Sequence, residues 1–491
     1  MCGIVGLYAP GEKTSNLAYL GLFALQHRGQ ESAGIAVSDG DTVTVVKDMG
    51  LVATVFDERK LAPLDGHIAI GHVRYSTTGS SHWQNAQPLY RGVGRSGFAI
   101  AHNGNLTNTA KLSESLGQLP GFEARELTSL DSTSDSDLVA ELIAQYLPCD
   151  LDDAVGDTHS LEIAVKEVLP QLEGAFSMVF SDESHLIGAR DPLGFHPLVL
   201  GKLDNGWALA SETSSLDIMG AHFVRDIEPG EMVVIDEDGV RSMRFGQADP
   251  KLCVFEFVYF ARPDSHLYSK SVHAVRQRMG EELAKQAPSP NADMVMPVPE
   301  SGVPAAQGYA RQSGIPYGDG VVKNRYVGRT FISPSQKQRG LGVKLKLNPI
   351  QENIEGKVLV VIDDSIVRGT TTKALIAMLR EAGAKEVHFR VSSPPYRWPC
   401  FFGIDTGTRQ ELLAANMSVG EICEYIGADS LSYLEVDAMI RATDSSPDSF
   451  CTACLTGNYE VDVPIDITSK EERISMSEQD SGITVYASHK E

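Results

Sequence analysis

Residues 358–372 read VLVVIDDSIVRGTTT, and the fold turns on this stretch. The run 358–362 is apolar and mostly β-branched, bounded by Lys357 and Asp363, which suits a buried central strand. It ends in two carboxylates, Asp363 and Asp364. A turn follows over 365–369, and then three threonines lead into KALIAMLRE (373–381), a helix by propensity. In an open α/β sheet, ligands sit at the carboxyl ends of strands. A helix N-terminus with free N–H groups and threonine hydroxyls is an anion site. Two carboxylates beside it do not favour a bare phosphate; they fit ribose hydroxyls, or a Mg²⁺ that bridges to phosphate. The ligand implied is a sugar carrying a phosphate and a metal-bound pyrophosphate.

The plainer reading is an ordinary βα turn with Asp364 or Ser365 as a helix cap. Strand, acidic pair, glycine and threonines in this order, however, resemble the phosphoribosyl-diphosphate (PRPP) loop of type I phosphoribosyltransferases. The resemblance implies that Asp363 and Asp364 contact the ribose hydroxyls. It also implies that Arg368, Gly369, Thr370, Thr371 and Thr372 cradle the 5′-phosphate. Upstream, SVHAVRQRMGEELAKQ (271–286) reads as a helix, and MVMPVPESGVPAAQGYA (294–310) as strand, turn and helix. Ser301 lies at that turn, where the family places a hydroxyl that joins the two aspartates as a Mg²⁺ ligand.

Between these blocks the charge shifts. Residues 321–346 carry Lys323, Arg325, Arg329, Lys337, Arg339, Lys344 and Lys346 and no acidic residue, inside a chain of net charge −23. A nucleic-acid patch is one reading. A lid over pyrophosphate is the better one, because the anion site follows directly. KNRYVGRTFI is similar to the amidotransferase form of this loop, which implies that Lys323, Arg325 and Lys337 contact PRPP. Closing such a lid would exclude water from a hydrolysable substrate.

The chain has 491 residues, which predicts two large domains. The strongly negative charge argues against broad nucleic-acid binding. No run of 18 apolar residues marks a membrane span. MCGIV has no basic region before an apolar core, so it is not a secretory signal. Seven cysteines scattered through such a chain argue against a disulfide scaffold, and a cytoplasmic location is expected.

At the N-terminus, Cys2 stands immediately before a strand-like stretch. Removing Met1 would leave a cysteine whose own α-amine, with a pKa of about 8, can serve as general base. A small buried hydrophobe is the other reading, and position alone does not choose. Four polar blocks follow: LQHRGQESAG (25–34), GHVRYSTTG (71–79), AHNGNLTN (101–108) and TSDSD (133–137). They supply the partners that glutamine needs: Arg74 for its α-carboxylate, Asp135 for its α-ammonium, and Asn103 with the Gly104 N–H for an oxyanion. Singly each is a loop, and Asn-Gly alone is a hairpin signal. As a set behind Cys2 they resemble the N-terminal-nucleophile glutaminase domain of class II amidotransferases, and the roles just given follow that resemblance. His27, His72 and His102 are read as packing residues, because the amine fills the base role. EGAFSMVF (173–180) and ARDPLGFHPLVLG (189–201) read as hairpin strands around a Pro-Gly turn, and as scaffold. Residues 118–133 read as a polar loop.

Cys451 and Cys454 form a CxxC, and Cys253 and Cys400 are isolated. From spacing alone zinc, a redox pair and no metal all stay open. Their contexts, CVFEFVYFARPDS, PPYRWPCFFGIDT and CTACLTG, resemble the iron–sulfur subtype of the amidophosphoribosyltransferase family. That implies one [4Fe–4S] cluster per subunit on Cys253, Cys400, Cys451 and Cys454, and one Mg²⁺ per subunit. Cys149 and Cys423 read as ordinary thiols.

The resemblance runs from Cys2 to about residue 458. It implies an αββα glutaminase sandwich of the N-terminal-nucleophile type over residues 2–245, and a type I phosphoribosyltransferase fold over 246–459. Residues 460–491 remain as an acid-rich tail. The activity implied is glutamine-dependent conversion of PRPP to 5-phosphoribosylamine, the first committed step of purine synthesis. Glutamine and PRPP are then the substrates, an apolar passage carries ammonia between the sites, and purine nucleotides inhibit a homotetramer. Maturation is expected to need only methionine removal. Two other readings stand beside it. A glucosamine-phosphate or asparagine synthetase would use Cys2 but needs a different second domain. A PRPP-sensing regulator that binds nucleic acid conflicts with the net charge and the complete glutaminase set.

Overall fold

The computed structural model describes residues 1–75, 82–93, 96–117, 134–147, 160–324, 346–406, 409–463 and 485–486. The loop 118–133, Cys149, most of the basic stretch (325–345, with Arg325 and Lys337) and nearly all of the tail lie outside the described residues.

The first half is built from two antiparallel sheets. One has seven strands in the order His222–Asp226, Val199–Leu203, Gly206–Ala210, Gly3–Tyr8, Ile68–Arg74, Ser32–Ser38 and Val43–Met49. The other has six: Gly239–Arg244, Glu231–Asp236, Leu186–Arg190, Gly174–Ser181, Ser96–Leu106 and Leu89–Val93. Side chains alternate across a strand, so each sheet has two faces to bury. Ile4, Ile70, Ala99, Val179, Leu209 and Val233 fill the space between the sheets. The outer face of the seven-stranded sheet packs on the helices Thr14–Ala24 and Thr213–Met219. That of the six-stranded sheet packs on Thr109–Gly117, Asp135–Gln145 and Ser160–Val168. The layers run αββα, as the sequence led one to expect.

The second half has one sheet, in the order Met294–Pro297, Val358–Asp363, Glu386–Val391, Ser430–Tyr433 and Val485–Tyr486. Its first four strands are parallel and the last is antiparallel. The run 358–362 is apolar throughout because both faces are covered. Val360 and Ile362 enter the core formed with the helices Val272–Gln286 and Val303–Ser313. Leu359 and Val361 enter the core formed with Thr370–Glu381 and Val419–Ile426. Full burial of each such side chain contributes roughly 1.5–3 kcal/mol. The strand extends one residue, to Asp363, and the helix begins at Thr370, so the three threonines form its first turn. Among the described residues no helix is long and apolar enough to cross a membrane.

One local reading is corrected. The hairpin joins Gly174–Ser181 to Leu186–Arg190 through residues 182–185. The Pro192–Gly194 turn instead carries the chain from the six-stranded sheet to the seven-stranded one. It also receives the second half: Asp249, Lys251 and Cys253 N–H groups donate to the carbonyls of Pro192, Leu193 and Phe195 at 3.0, 2.6 and 2.9 Å.

Deeper in the junction a fully buried guanidinium, Arg28, lies between two buried carboxylates. Its Nε donates to Glu212. Its Nη1 and Nη2 donate to Glu256 Oε1 and Oε2 at 3.1 and 2.6 Å. Glu212 also accepts from the Arg262 N–H at 2.9 Å and the Ser265 hydroxyl at 2.6 Å. Burial alone would lift the Glu212 carboxyl, but Arg28 and His27 hold it well below the ordinary range. Arg28→Met would leave Glu256 without its guanidinium and Glu212 with only His27, the Arg262 N–H and Ser265 as partners, a loss on the order of 3–5 kcal/mol. We expect a lower thermal unfolding midpoint for Arg28→Met, largely recovered in the triple variant Arg28→Met, Glu212→Gln, Glu256→Gln. An unchanged midpoint in the single variant would mean that water already reaches the carboxylates.

Candidate functional site

The residues singled out in the first half converge on the start of the strand Gly3–Tyr8. Cys2 is buried, and its N–H donates to Asn103 Oδ1 at 2.9 Å. Its Sγ lies 3.6 Å from the Tyr75 carbonyl. Because a backbone donor holds Oδ1, the Asn103 amide orientation is fixed and Nδ2 is the remaining donor. Nδ2 is buried without a partner among the described residues, and such a group is costly unless a ligand completes it. Gly104 has φ +152°, and a Cβ there would stand 2.0 Å from the Ala175 carbonyl oxygen. No other residue fits this conformation in this space.

Asp135 opens the helix Asp135–Gln145. Its Oδ2 accepts the Leu106 N–H at 3.0 Å, and Oδ1 lies 3.6 Å from His102 Nδ1. Burial opposes its charge, but His102 and the backbone N–H groups hold the carboxyl below its ordinary range. An ionised Asp135 suits an ammonium ligand. Arg74 is buried and pairs with Glu31, Nη1 to Oε1 at 2.7 Å. Glu31 lies in the block 25–34 and went unread in the sequence; an acidic residue in a glycine-flanked polar block was the available signal. Burial pushes His72 down to about 3, so it is a neutral packing residue. The Met1 amine is also buried, with Arg28, Glu256 and Cys400 near enough to act on its charge.

The second site lies at the carboxyl end of the strand Val358–Asp363. Asp363 is half-buried and Asp364 buried. The Asp364 N–H donates to Asp363 Oδ1 at 2.9 Å, and the Ser365 hydroxyl to Asp364 Oδ1 at 2.9 Å. The Ser301 hydroxyl lies near enough to favour the charged form of Asp364, which brings the three oxygen-bearing residues of the expected cation site together. Burial and the neighbouring charge of Asp364 lift the Asp363 carboxyl well above its usual range, and burial lifts Asp364. Two crowded carboxylates of this kind are what a divalent cation or ribose hydroxyls would relieve. Among the described residues no group of three or more His, Cys, Asp or Glu side chains is placed to hold a metal ion; the oxygen set here includes a serine. Gly369 precedes the helix Thr370–Glu381, with Thr370, Thr371 and Thr372 in its first turn. Arg368 donates to Glu411 from Nε and Nη2 at 3.0 and 2.5 Å. Lys323 ends the strand Val321–Lys323, which pairs with Leu347–Pro349, and its Nζ lies 3.1 Å from Glu300, next to Ser301. The basic stretch is therefore rooted beside the acidic pair. Arg325 and Lys337 lie outside the described residues.

Cys253, Cys400, Cys451 and Cys454 line one apolar pocket with Phe195, His196, Phe402, Ile404 and Ala453. Cys253 and Cys451 are register partners in the parallel pair Leu252–Cys253 and Phe450–Cys451. All four are free thiols. Burial, then the neighbouring cysteines, pushes Cys253 and Cys454 well above the ordinary thiol range. The four share one apolar pocket, yet they too are covered by the absence, among the described residues, of any group of three or more His, Cys, Asp or Glu side chains placed to hold a metal ion. Phe195 and His196, read as scaffold in the sequence, belong to this pocket.

A family model for the glutamine amidotransferase domain matches residues 72–217, and one for the phosphoribosyl transferase domain matches residues 271–393. The amidophosphoribosyltransferase of Mycobacterium leprae is 52% identical over 469 residues, covering 94% of this chain and 82% of the relative. That of Synechococcus elongatus is 50% identical over 471 residues, covering 95% and 92%. Among solved structures, B. subtilis glutamine PRPP amidotransferase complexed with ADP and GMP superposes with a TM-score of 0.84 at 41% identity, covering 95% of this chain and 99% of that one. A structure described as the allosteric regulatory enzyme of purine biosynthesis gives 0.85 at 42% identity, covering 95% and 98%.

The acidic pair sets a pH-dependent stability. Asp363 titrates higher in the folded chain than its ordinary 3.8. The folded form therefore binds more protons than the unfolded one between those values, and the pair costs stability as pH rises through that window. Asp363→Asn should raise the thermal midpoint of cation-free protein at neutral pH, and the gain should vanish toward about pH 4. Calorimetry in chelator across that range reads it. A gain that grows at low pH would contradict the assignment.

Proposed function

The chain belongs to the amidophosphoribosyltransferase family, and from that premise we propose how its residues divide the reaction. The enzyme converts PRPP and glutamine to 5-phosphoribosylamine, glutamate and pyrophosphate, the first committed step of purine synthesis. We assign the glutaminase half-reaction to residues 2–245, PRPP use to residues 246–459, and a tail to 460–491.

In our reading Arg74 takes the glutamine α-carboxylate and Asp135 the α-ammonium. The Cys2 amine, once the preceding residue is cleaved off, accepts the thiol proton. The thiolate adds to the amide carbon, and the developing oxyanion is met by Asn103 Nδ2 and the Gly104 N–H. The proton passes to the leaving nitrogen, the C–N bond breaks, and ammonia departs from a thioester that water then hydrolyses. The observation that carries this reading is the Asn103 side chain. Its oxygen is held by Cys2 at 2.9 Å and its buried Nδ2 is unpartnered.

At the other site, Asp363 and Asp364 hold the ribose hydroxyls, and Arg368 to Thr372 take the 5′-phosphate at the helix N-terminus. Asp363, Asp364 and Ser301 would hold one Mg²⁺ per subunit, which stabilises charge on the departing pyrophosphate. By the family resemblance Lys323, Arg325 and Lys337 would contact PRPP; of these, Lys323 is among the described residues. Ammonia then attacks C1 with inversion. It must arrive unprotonated, which calls for an apolar passage between the sites. The four cysteines would hold one [4Fe–4S] cluster per subunit as a structural centre; the shared apolar pocket supports this. A homotetramer inhibited by purine nucleotides, in the cytoplasm, completes the reading. The B. subtilis relative complexed with ADP and GMP supports the feedback.

Two experiments test this. Cys2→Ala should abolish glutamine-dependent pyrophosphate release yet keep release driven by ammonium salt at alkaline pH, because the PRPP residues are untouched. A folded variant inactive with both nitrogen sources would remove Cys2 from ammonia supply, and full activity with glutamine would place the nucleophile elsewhere. Separately, anaerobically purified protein should be brown and hold about four irons per chain. One zinc and no iron after reconstitution would point to a zinc site.

A further inference from the structure

We propose that the turn at residues 400–403 positions the oxyanion donors of the glutaminase half, with Asn105 as the contact that transmits its position. The inference rests on the oxyanion reading of Asn103 and Gly104 given above. Asn105 Nδ2 donates to the Phe401 carbonyl at 2.9 Å, across 296 residues of sequence. Gly403, at φ +120°, packs so closely that a Cβ there would stand 3.4 Å from Gly104 Cα and 3.0 Å from His196 Nε2. Between them, the Phe402 carbonyl meets His196 Nε2 at 2.6 Å, and the Phe402 ring stacks on Phe195 at 4.3 Å. The turn is thus fastened at each residue after Cys400, three times to the Phe195–His196 segment and twice to the strand Ser96–Leu106.

Gly104 is consequently confined on two sides: by Ala175 of its own sheet, 2.0 Å from where a Cβ would be, and by Gly403 of the other half. Its φ of +152° departs from the strand conformation of its neighbours. The peptide plane that aims the Gly104 N–H is therefore set by what it packs against. Asn105 is the side chain next in sequence, and its bond to Phe401 ties the chain on the C-terminal side of Gly104 to the turn, which limits how far the Gly104 backbone can rotate. The Asn105 side-chain bonds to the Phe401 and Leu106 carbonyls reach neither Cys2 nor Asn103, so the role proposed for it is positioning.

The test uses the full-length enzyme with Mg-PRPP, comparing Asn105→Ala, the isostere Asn105→Asp, and Asn103→Ala. A donor displaced by about an ångström costs up to about a hundredfold in rate. Both Asn105 variants should lose about tenfold to a hundredfold in kcat for glutamine hydrolysis. Their KM for glutamine, the rate of Cys2 alkylation by iodoacetamide (read by peptide mapping) and the ammonia-dependent reaction should stay unchanged. Wild-type kcat in both variants overturns the proposal. So does a parallel fall in the ammonia-dependent reaction and the alkylation rate, which would make the contact general scaffolding. Asn103→Ala separates the two levels. If it hydrolyses glutamine normally, the oxyanion reading itself fails. If it is inactive while the Asn105 variants are normal, only the positioning role fails.

Discussion

Arg28 is the fixed point between the two halves. A guanidinium with no solvent access needs counter-charge, and both halves supply it: Glu212 from the end of the glutaminase sheet region and Glu256 from the segment just after Cys253. Buried ion pairs are weak contributors to stability, because desolvation offsets much of the attraction. What they do well is forbid alternatives. Any slip of one half against the other would leave a carboxylate or the guanidinium without a partner, at several kcal/mol. The apolar contacts at the junction, such as Phe195 on Phe402, tolerate sliding far better. The charged group fixes the register, and the aromatic and thiol-lined surface fills in around it.

The sequence made the two chemistries legible because each is written locally. Strand, acidic pair and threonine turn lie within fifteen residues, and periodicity reveals both strand and helix. The glutaminase blocks are likewise short and polar beside apolar strands. Contacts between blocks carry no such spacing. Glu212 and Glu256 are 184 and 228 residues from Arg28, and nothing near either one announces a buried cation. The Pro192–Gly194 turn was misread as a hairpin for a related reason. A Pro-Gly turn fixes the local bend, but whether the next strand stays in the same sheet depends on which face must be buried. Glu31 was hidden by its partner, since Arg74 had already been given a ligand to bind.

Several positions that break local rules lie at the two sites and in the cysteine-lined pocket. Asp363 and Asp364 are adjacent carboxylates at a buried strand end. Asn103 keeps an amide donor buried without a partner, and Gly104 leaves strand geometry. Four thiols crowd one apolar space. The crowded carboxylates and the unpartnered amide donor are the kind of cost that a ligand removes. Buried polar groups elsewhere in the framework can be met from within: Arg190 donates to the carbonyls of His196, Ile227 and Gly194, Arg390 to those of Ala287 and Phe389, and Ser271 and Ser418 cap their helices with side-chain bonds.

This distribution bears on why both half-reactions share one chain. Ammonia released into water at neutral pH becomes ammonium and loses its lone pair, so the glutaminase centre is useful only while its outlet stays closed to solvent. Closure demands that the junction be as rigid as a core. A flexible linker between two finished domains would not give that rigidity. Here the second half contributes directly to the first: the Asp249–Cys253 segment pairs with the Pro192–Phe195 turn, and the Phe401 carbonyl holds Asn105, next to Gly104. In return Arg28, from the first half, neutralises a carboxylate that the second half could not bury alone. Each half therefore completes the other's interior, and the contacts between them are those of a core.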